Sequence, residues 1–167
     1  MLFNEKYGKY ALITGGNSGI GAEFAEQLAK KGLNIVIVAR REELLNKKAS
    51  DLRKMYNVEV KTIKADLSKI EEIEKVVKTC ELLDVGLIIP NAGMETHGTF
   101  PKLDLAKEIM SINLNVTSTM ALTHHFVKKM IPRKRGGVIL VASLLGHMPT
   151  PYSVSYTHLT LPTIMPV

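Results

Sequence analysis

The stretch TGGNSGIGAEF, Thr14 to Phe24, places glycines at 15, 19 and 21 between an apolar run and an amphipathic one. Glycine at these places permits a tight turn, a close approach of backbone to a ligand, and close packing of the next helix on the preceding strand. The first N–H groups of that helix have no partner inside it, and they point out in front of the turn. The chemistry this favours is anion binding, with a phosphate as the natural guest. Other chemistries are less well served. His97, His124, His125, His147 and His158 follow no metal-ligand spacing, so no metal is expected, and no nucleophile, base and acid fall into a triad pattern.

A turn of this kind needs a strand before it and a helix after it, and the rest of the chain repeats that alternation. Runs rich in β-branched residues are predicted as strands at Tyr10 to Thr14, Asn34 to Ala39, Val58 to Ala65, Val85 to Ile89 and Gly137 to Ser143. Several are almost wholly apolar, as strands covered by helices on both faces must be. Between them lie AEFAEQLAKKG, EELLNKKASDLRKMY, SKIEEIEKVVKTCELL and a longer helical segment from about Asp104 to Met130. Ala22, Ala25, Leu28 and Ala29 form a helical stripe that ends at Gly32, a predicted C-cap. Ser68 and Glu71 have the spacing of a capping box. The pattern predicts an α/β protein with a Rossmann-like, doubly wound parallel sheet of about five strands, its ligand sites beyond the carboxyl ends of the strands.

Composition supports one globular domain. The chain has 167 residues, 46% hydrophobic and 23% charged, with no run long enough to span a bilayer. The polar N-terminus, MLFNEKYGKY, has no apolar core of a signal peptide, so a cytoplasmic location and no membrane association are expected. Cys80 is the only cysteine and reads as a small buried hydrophobe. The net charge of +6 is spread over several helices, which predicts a solvated surface rather than a nucleic-acid site. The densest basic cluster, PRKRGG at Pro132 to Gly137, reads as an exposed turn.

From Lys9 to Tyr152, with TGGNSGIG, ADLS, PNAG and GVILVASLLG as landmarks, the chain resembles the short-chain dehydrogenase/reductase family. The resemblance implies an oxidoreductase that interconverts a carbonyl and an alcohol with a nicotinamide dinucleotide. It implies cofactor contacts at Gly15, Asn17, Ser18, Gly19, Ile20 and Gly21, at Asp66 and Leu67 beside the adenine, and at Asn91, Ala92 and Gly93. Asp66 or Ser68 is equally suited to cap the next helix. Where NAD-preferring relatives offer a carboxylate to the ribose, this chain has Ala39 followed by Arg40 and Arg41. Guanidinium groups suit a 2′-phosphate, which favours NADP over NAD, while the same arginines also suit the start of a solvated helix. Pro90, where the family usually shows asparagine, removes a backbone donor from that motif.

The same resemblance assigns catalysis to Asn115, with Asn113 as the alternative, to Ser143 and to Tyr156. It further implies a lysine four residues after the tyrosine, which would lower the phenol's pKa from its usual value of about 10. The chain supplies Thr160 there. The wording DVGLIIPNAG and SLLGHMPTPY is most similar to relatives acting on ketones, hydroxysteroids or acyl ketones, and the family implies a homo-oligomer with small-molecule substrates. A non-catalytic dinucleotide-binding regulator is the alternative function.

The tail explains the missing lysine. VSYTHLTLPT back-translates to GTC TCT TAT ACA CAT CTG ACG CTG CCG ACG, the transposase end and adapter of tagmentation libraries. In such DNA a short index and GTGTAG follow, which read as three variable residues, a valine and a stop, and the chain shows Ile164, Met165, Pro166 and Val167. Residues 1–153 are therefore expected to be the N-terminal part of one dinucleotide-binding domain, and 154–167 an artefact, with Tyr156 in the catalytic register by coincidence. The family's remaining strands would then be absent, leaving GVILVAS as an apolar edge.

Overall fold

Tyr10–Thr14 forms the central strand, β1, and every one of its residues is buried, because helices cover it from both sides. Around it the computed structural model, which describes residues 3–143, 151–153 and 155, builds a five-stranded sheet in the order β3-β2-β1-β4-β5. The other strands are β2 (Asn34–Ala39), β3 (Val60–Lys64), β4 (Val85–Ile89) and β5 (Gly137–Val138), and each pairing is parallel. A short helix, α1 (Phe3–Tyr7), precedes β1, and the crossovers are α2 (Gly19–Lys30), α3 (Glu42–Tyr56), α4 (Ile70–Thr79) and the pair α5 (Leu105–Ile112) and α6 (Ser118–Arg133).

The strand alternation divides the core into two layers. Leu12, Val36, Val38 and Ile88 meet Ile73 and Val76 of α4 and Leu122 and Phe126 of α6 on one face. Ala11, Ile13, Ile35, Ile37 and Ile89 meet Ala25 and Leu28 of α2 and Leu45, Ala49 and Leu52 of α3 on the other. This is why the strands read as continuous apolar runs rather than alternating ones. The expected doubly wound α/β sheet is the one observed, and its chain order reverses between β1 and β4, the place where such sheets open a crevice.

Element ends depart from expectation in several places. The helix expected over Ser68 to Leu83 spans Ile70–Thr79, and the Ser68–Glu71 capping box does not form. Ser68 instead turns back on Asp66, whose Oδ1 accepts from Ser68 N at 3.2 Å and from Ser68 Oγ at 2.8 Å, and Lys69 becomes the N-cap. β3 begins at Val60 rather than Val58, because Asn57 takes the left-handed conformation that ends α3 and Glu59 N donates to the Asn34 side chain. β5 stops at Val138 as a regular strand, although Ile139 N still donates to Ile88 O at 3.0 Å and Val141 N to Pro90 O at 3.3 Å. The bonds continue on the β4 side, so the segment runs alongside the sheet without closing a full ladder. The PRKRGG cluster is only partly a turn: Pro132 and Arg133 finish α6, and Arg133 and Arg135 both hold Asp84.

The end of α2 follows its sequence closely. Lys31 is the C-cap, Gly32 takes φ +81°, Gly32 N donates to Ala29 O and Leu33 N to Leu28 O. These two bonds and the buried Leu28–Leu33 pair make a Schellman motif around the predicted glycine.

Candidate active site

The carboxyl ends of β1, β2, β3 and β4 converge on a cleft of about 290 Å3. Its floor is the turn after β1. Gly15 takes φ +66°, where a side chain would be strained, and a Cβ on Gly21 would stand 2.4 Å from the Gly15 carbonyl oxygen. That contact fixes how closely the N-terminus of α2 sits behind the turn. Asn17 and Ser18 line the cleft, and Gly19 and Gly21 shape the turn beside it. Ser18 is the N-cap of α2 and makes no side-chain capping bond, so the first N–H groups of the helix stay directed at the cleft.

Two further observations bear on what fits there. Asn17 Nδ2 is buried with no hydrogen-bond partner, a donor whose desolvation is uncompensated unless a ligand accepts from it. Arg40 and Arg41, at the exit of β2, line the same cleft, and Arg41 Nη2 lies 3.3 Å from Ser18 Oγ. Arg41 is also the N-cap of α3, as the expected start of a solvated helix requires. Asp66 and Leu67 complete the wall after β3, and Asp66 does not cap α4. Orphan donor, glycine turn, helix N-terminus and arginines together suit an anionic nucleotide with more than one phosphate.

Asn91, Ala92 and Gly93 line this cleft and a second one of about 520 Å3. Their position is set by Thr14, the last residue of β1, whose hydroxyl accepts from both Asn91 N and Ala92 N at 2.9 Å. Asn91 Nδ2 returns a bond to Thr14 O at 2.9 Å. The donors to Thr14 belong to the two residues after Pro90, and Pro90 contributes its carbonyl to Val141 N. Sequence reasoning passed over Thr14. Its place directly before Gly15 and at the end of an apolar strand was the available signal, because a hydroxyl buried there must find partners.

The second cleft holds Ile20, Asn115 and Ser143. Asn115 lies in a π-helical turn, Asn113–Thr117, between α5 and α6. Its Oδ1 accepts from Met94 N at 2.9 Å, and its Nδ2 donates to Met94 O at 2.8 Å and to Ser111 Oγ at 3.3 Å. Ser111 Oγ also donates to Met94 O at 3.0 Å. Asn115 therefore clasps the backbone just after Gly93, and the alternative, Asn113, does not line the cleft. Ser143 lies beyond β5 and lines the same cleft. Tyr156 and Thr160, with His147 and His158, lie outside the described residues, so the clefts gather Asn115, Ser143 and the residues expected at the dinucleotide apart from Gly19 and Gly21.

The short chain dehydrogenase family model matches residues 9–158, and the chain belongs to that family. It is 35% identical over 156 residues to a 7beta-hydroxysteroid dehydrogenase of Mediterraneibacter gnavus, covering 93% of this chain and 59% of that one. A very-long-chain 3-oxoacyl-CoA reductase of Mus musculus is 32% identical over 161 residues, with 93% and 51% covered. The structure solved in a study of 7beta-hydroxysteroid dehydrogenase stereoselectivity superposes with a TM-score of 0.91 at 35% identity, over 95% of this chain and 61% of that one. A short-chain dehydrogenase from Sphingobium yanoikuyae in complex with NADPH gives 0.84 at 31% identity, over 89% and 59%. The chain thus spans under two thirds of the length of these relatives.

Proposed function

We propose that this chain is the dinucleotide-binding part of an NADP-preferring reductase that interconverts a carbonyl and an alcohol. The observation that carries the reading is the cleft in which Arg40 and Arg41 stand over a glycine turn with an unpartnered Asn17 amide. Bound there, NADPH would supply the hydride. The chain's own residues do the rest. The α2 N-terminus and Asn17 hold the pyrophosphate, and Arg40 and Arg41 hold the 2′-phosphate. Asn115 fixes the Met94 backbone at the edge of the second cleft, and the Ser143 hydroxyl donates to the substrate oxygen as negative charge grows on it. The proton belongs to a tyrosine in the Tyr156 register, which needs a neighbouring cation to act near neutrality.

Thr160 supplies no such cation. Residues from Val154 onward are best explained as translated adapter, and the chain as it stands is expected to bind NADPH without turnover. The relatives named as a hydroxysteroid dehydrogenase and a 3-oxoacyl-CoA reductase support a bulky ketone as substrate, and we take a cytoplasmic homo-oligomer as the working form. A dinucleotide-binding regulator is the second reading, favoured only by Thr160.

Titrating the purified chain with NADPH and NADH, followed by fluorescence, tests the cofactor. NADPH should bind on the order of tenfold tighter, and Arg41→Ala should remove most of that preference. Equal affinities would refute the 2′-phosphate assignment. Sequencing the source DNA across Pro151 to Val167 decides between the two functions: a tyrosine with a lysine four codons later supports the reductase, and genomic Thr160 supports the regulator.

A further inference from the structure

The second cleft is walled by Ile20, Met94, Val116 and Val141, and among its described lining residues Glu95 alone is ionisable. The carboxylate is held in place. Glu95 Oε1 accepts from Ser153 Oγ at 2.5 Å, and that hydroxyl lies 3.4 Å from His97 Nδ1. Gly98 N donates to Tyr152 O at 2.9 Å, and the His97 and Tyr152 rings meet edge-on at 5.8 Å. Residues 95–98 are thus fastened at several points to residues 152–153, which leaves Glu95 little freedom to swing away from the cleft. The segment also follows directly on Met94, whose backbone Asn115 clasps on the other side.

The geometry points to Glu95 as a specificity-determining residue: it receives a hydroxyl or ammonium group carried by the substrate away from its carbonyl, and it rejects a substrate with an anion at that place. This rests on the reading of the second cleft as the carbonyl-substrate site. Glu95 is exposed at the rim of the cleft, so solvent screens it, and it attracts a donor and repels a carboxylate with the modest strength of a positioned surface charge. Specificity then comes as much from the rejected ligand as from the accepted one.

Calorimetric titration of the NADPH-loaded chain with two cyclic ketones of equal size, one bearing a terminal hydroxyl and the other a terminal carboxylate, gives the test without requiring turnover. The hydroxyl ketone should bind about three- to fivefold tighter. Glu95→Gln keeps an oxygen for Ser153 and should shrink that ratio towards one, and Glu95→Lys should invert it. An unchanged ratio in both variants overturns the role of Glu95 while leaving the cofactor reading intact. NADPH binding with no binding of either ketone overturns it as well, and a chain that binds no NADPH removes both readings.

Discussion

Thr14 shows how one hydroxyl can govern a site. It closes β1, is almost fully buried, and accepts from two successive backbone N–H groups that would otherwise be stranded at the edge of both clefts. Thr14→Val keeps the shape and removes the acceptor. Leaving those donors unsatisfied should cost about 1–3 kcal/mol, measured by urea unfolding, and should weaken NADPH binding because the Asn91–Gly93 backbone loses its anchor. Thr14→Ser should retain most of both. A valine variant with wild-type stability and affinity would show that water replaces the hydroxyl. At this scale the sequence was partly legible. The glycines and arginines declare their chemistry by type, whereas the partners of Thr14 lie 77 and 78 residues along the chain and depend on how strands are ordered, and those of Asn115 depend on how the loop after β4 folds back on α5.

Among the elements, α2 and its turn act as one unit. A Cβ at position 21 would stand 2.4 Å from Gly15 O and 2.5 Å from Asn91 Nδ2, both fixed by other contacts, so neither can yield cheaply. Gly21→Ala should therefore push the helix off the turn and reduce NADPH affinity by more than tenfold, with a loss of stability of about 1–3 kcal/mol. Gly19→Ala is the control, since a Cβ there meets nothing within 4 Å, although its φ of +54° still exacts a smaller strain. If both variants bind NADPH equally, the close approach at position 21 has no role in holding the cofactor. The interiors of these elements were legible because their apolar patterns are long, as in α3, whose Glu42–Tyr56 span coincides with the expected segment. Their ends were not, where two local options of similar energy compete. Ser68 had the spacing for a capping box, yet Asp66 offered a nearer acceptor and took it. β5 had the composition of a long strand, yet a strand is completed by its neighbours, and composition does not say how many it has.

On the scale of the whole molecule, both faces of the sheet are covered, but one helical surface is not. Leu105, Ile109, Ile112 and Met120 are 70%, 50%, 41% and 67% exposed, and their spacing puts them on one side of α5 and the start of α6. The clefts lie at the strand ends, and of this stripe none lines either one. A row of large apolar side chains along a helix that already packs its other face inward is the form of surface that a second copy covers in a homo-oligomer. Sedimentation velocity on the purified chain should accordingly show self-association, and the double substitution Ile109→Glu and Met120→Glu should shift it to monomer. NADPH affinity should stay within about twofold, because the stripe and the clefts are separate surfaces and distant substitutions add independently. Self-association that survives both glutamates would place the contact elsewhere, with the β5 edge and its exposed Ile139 and Leu140 as the next surface to charge.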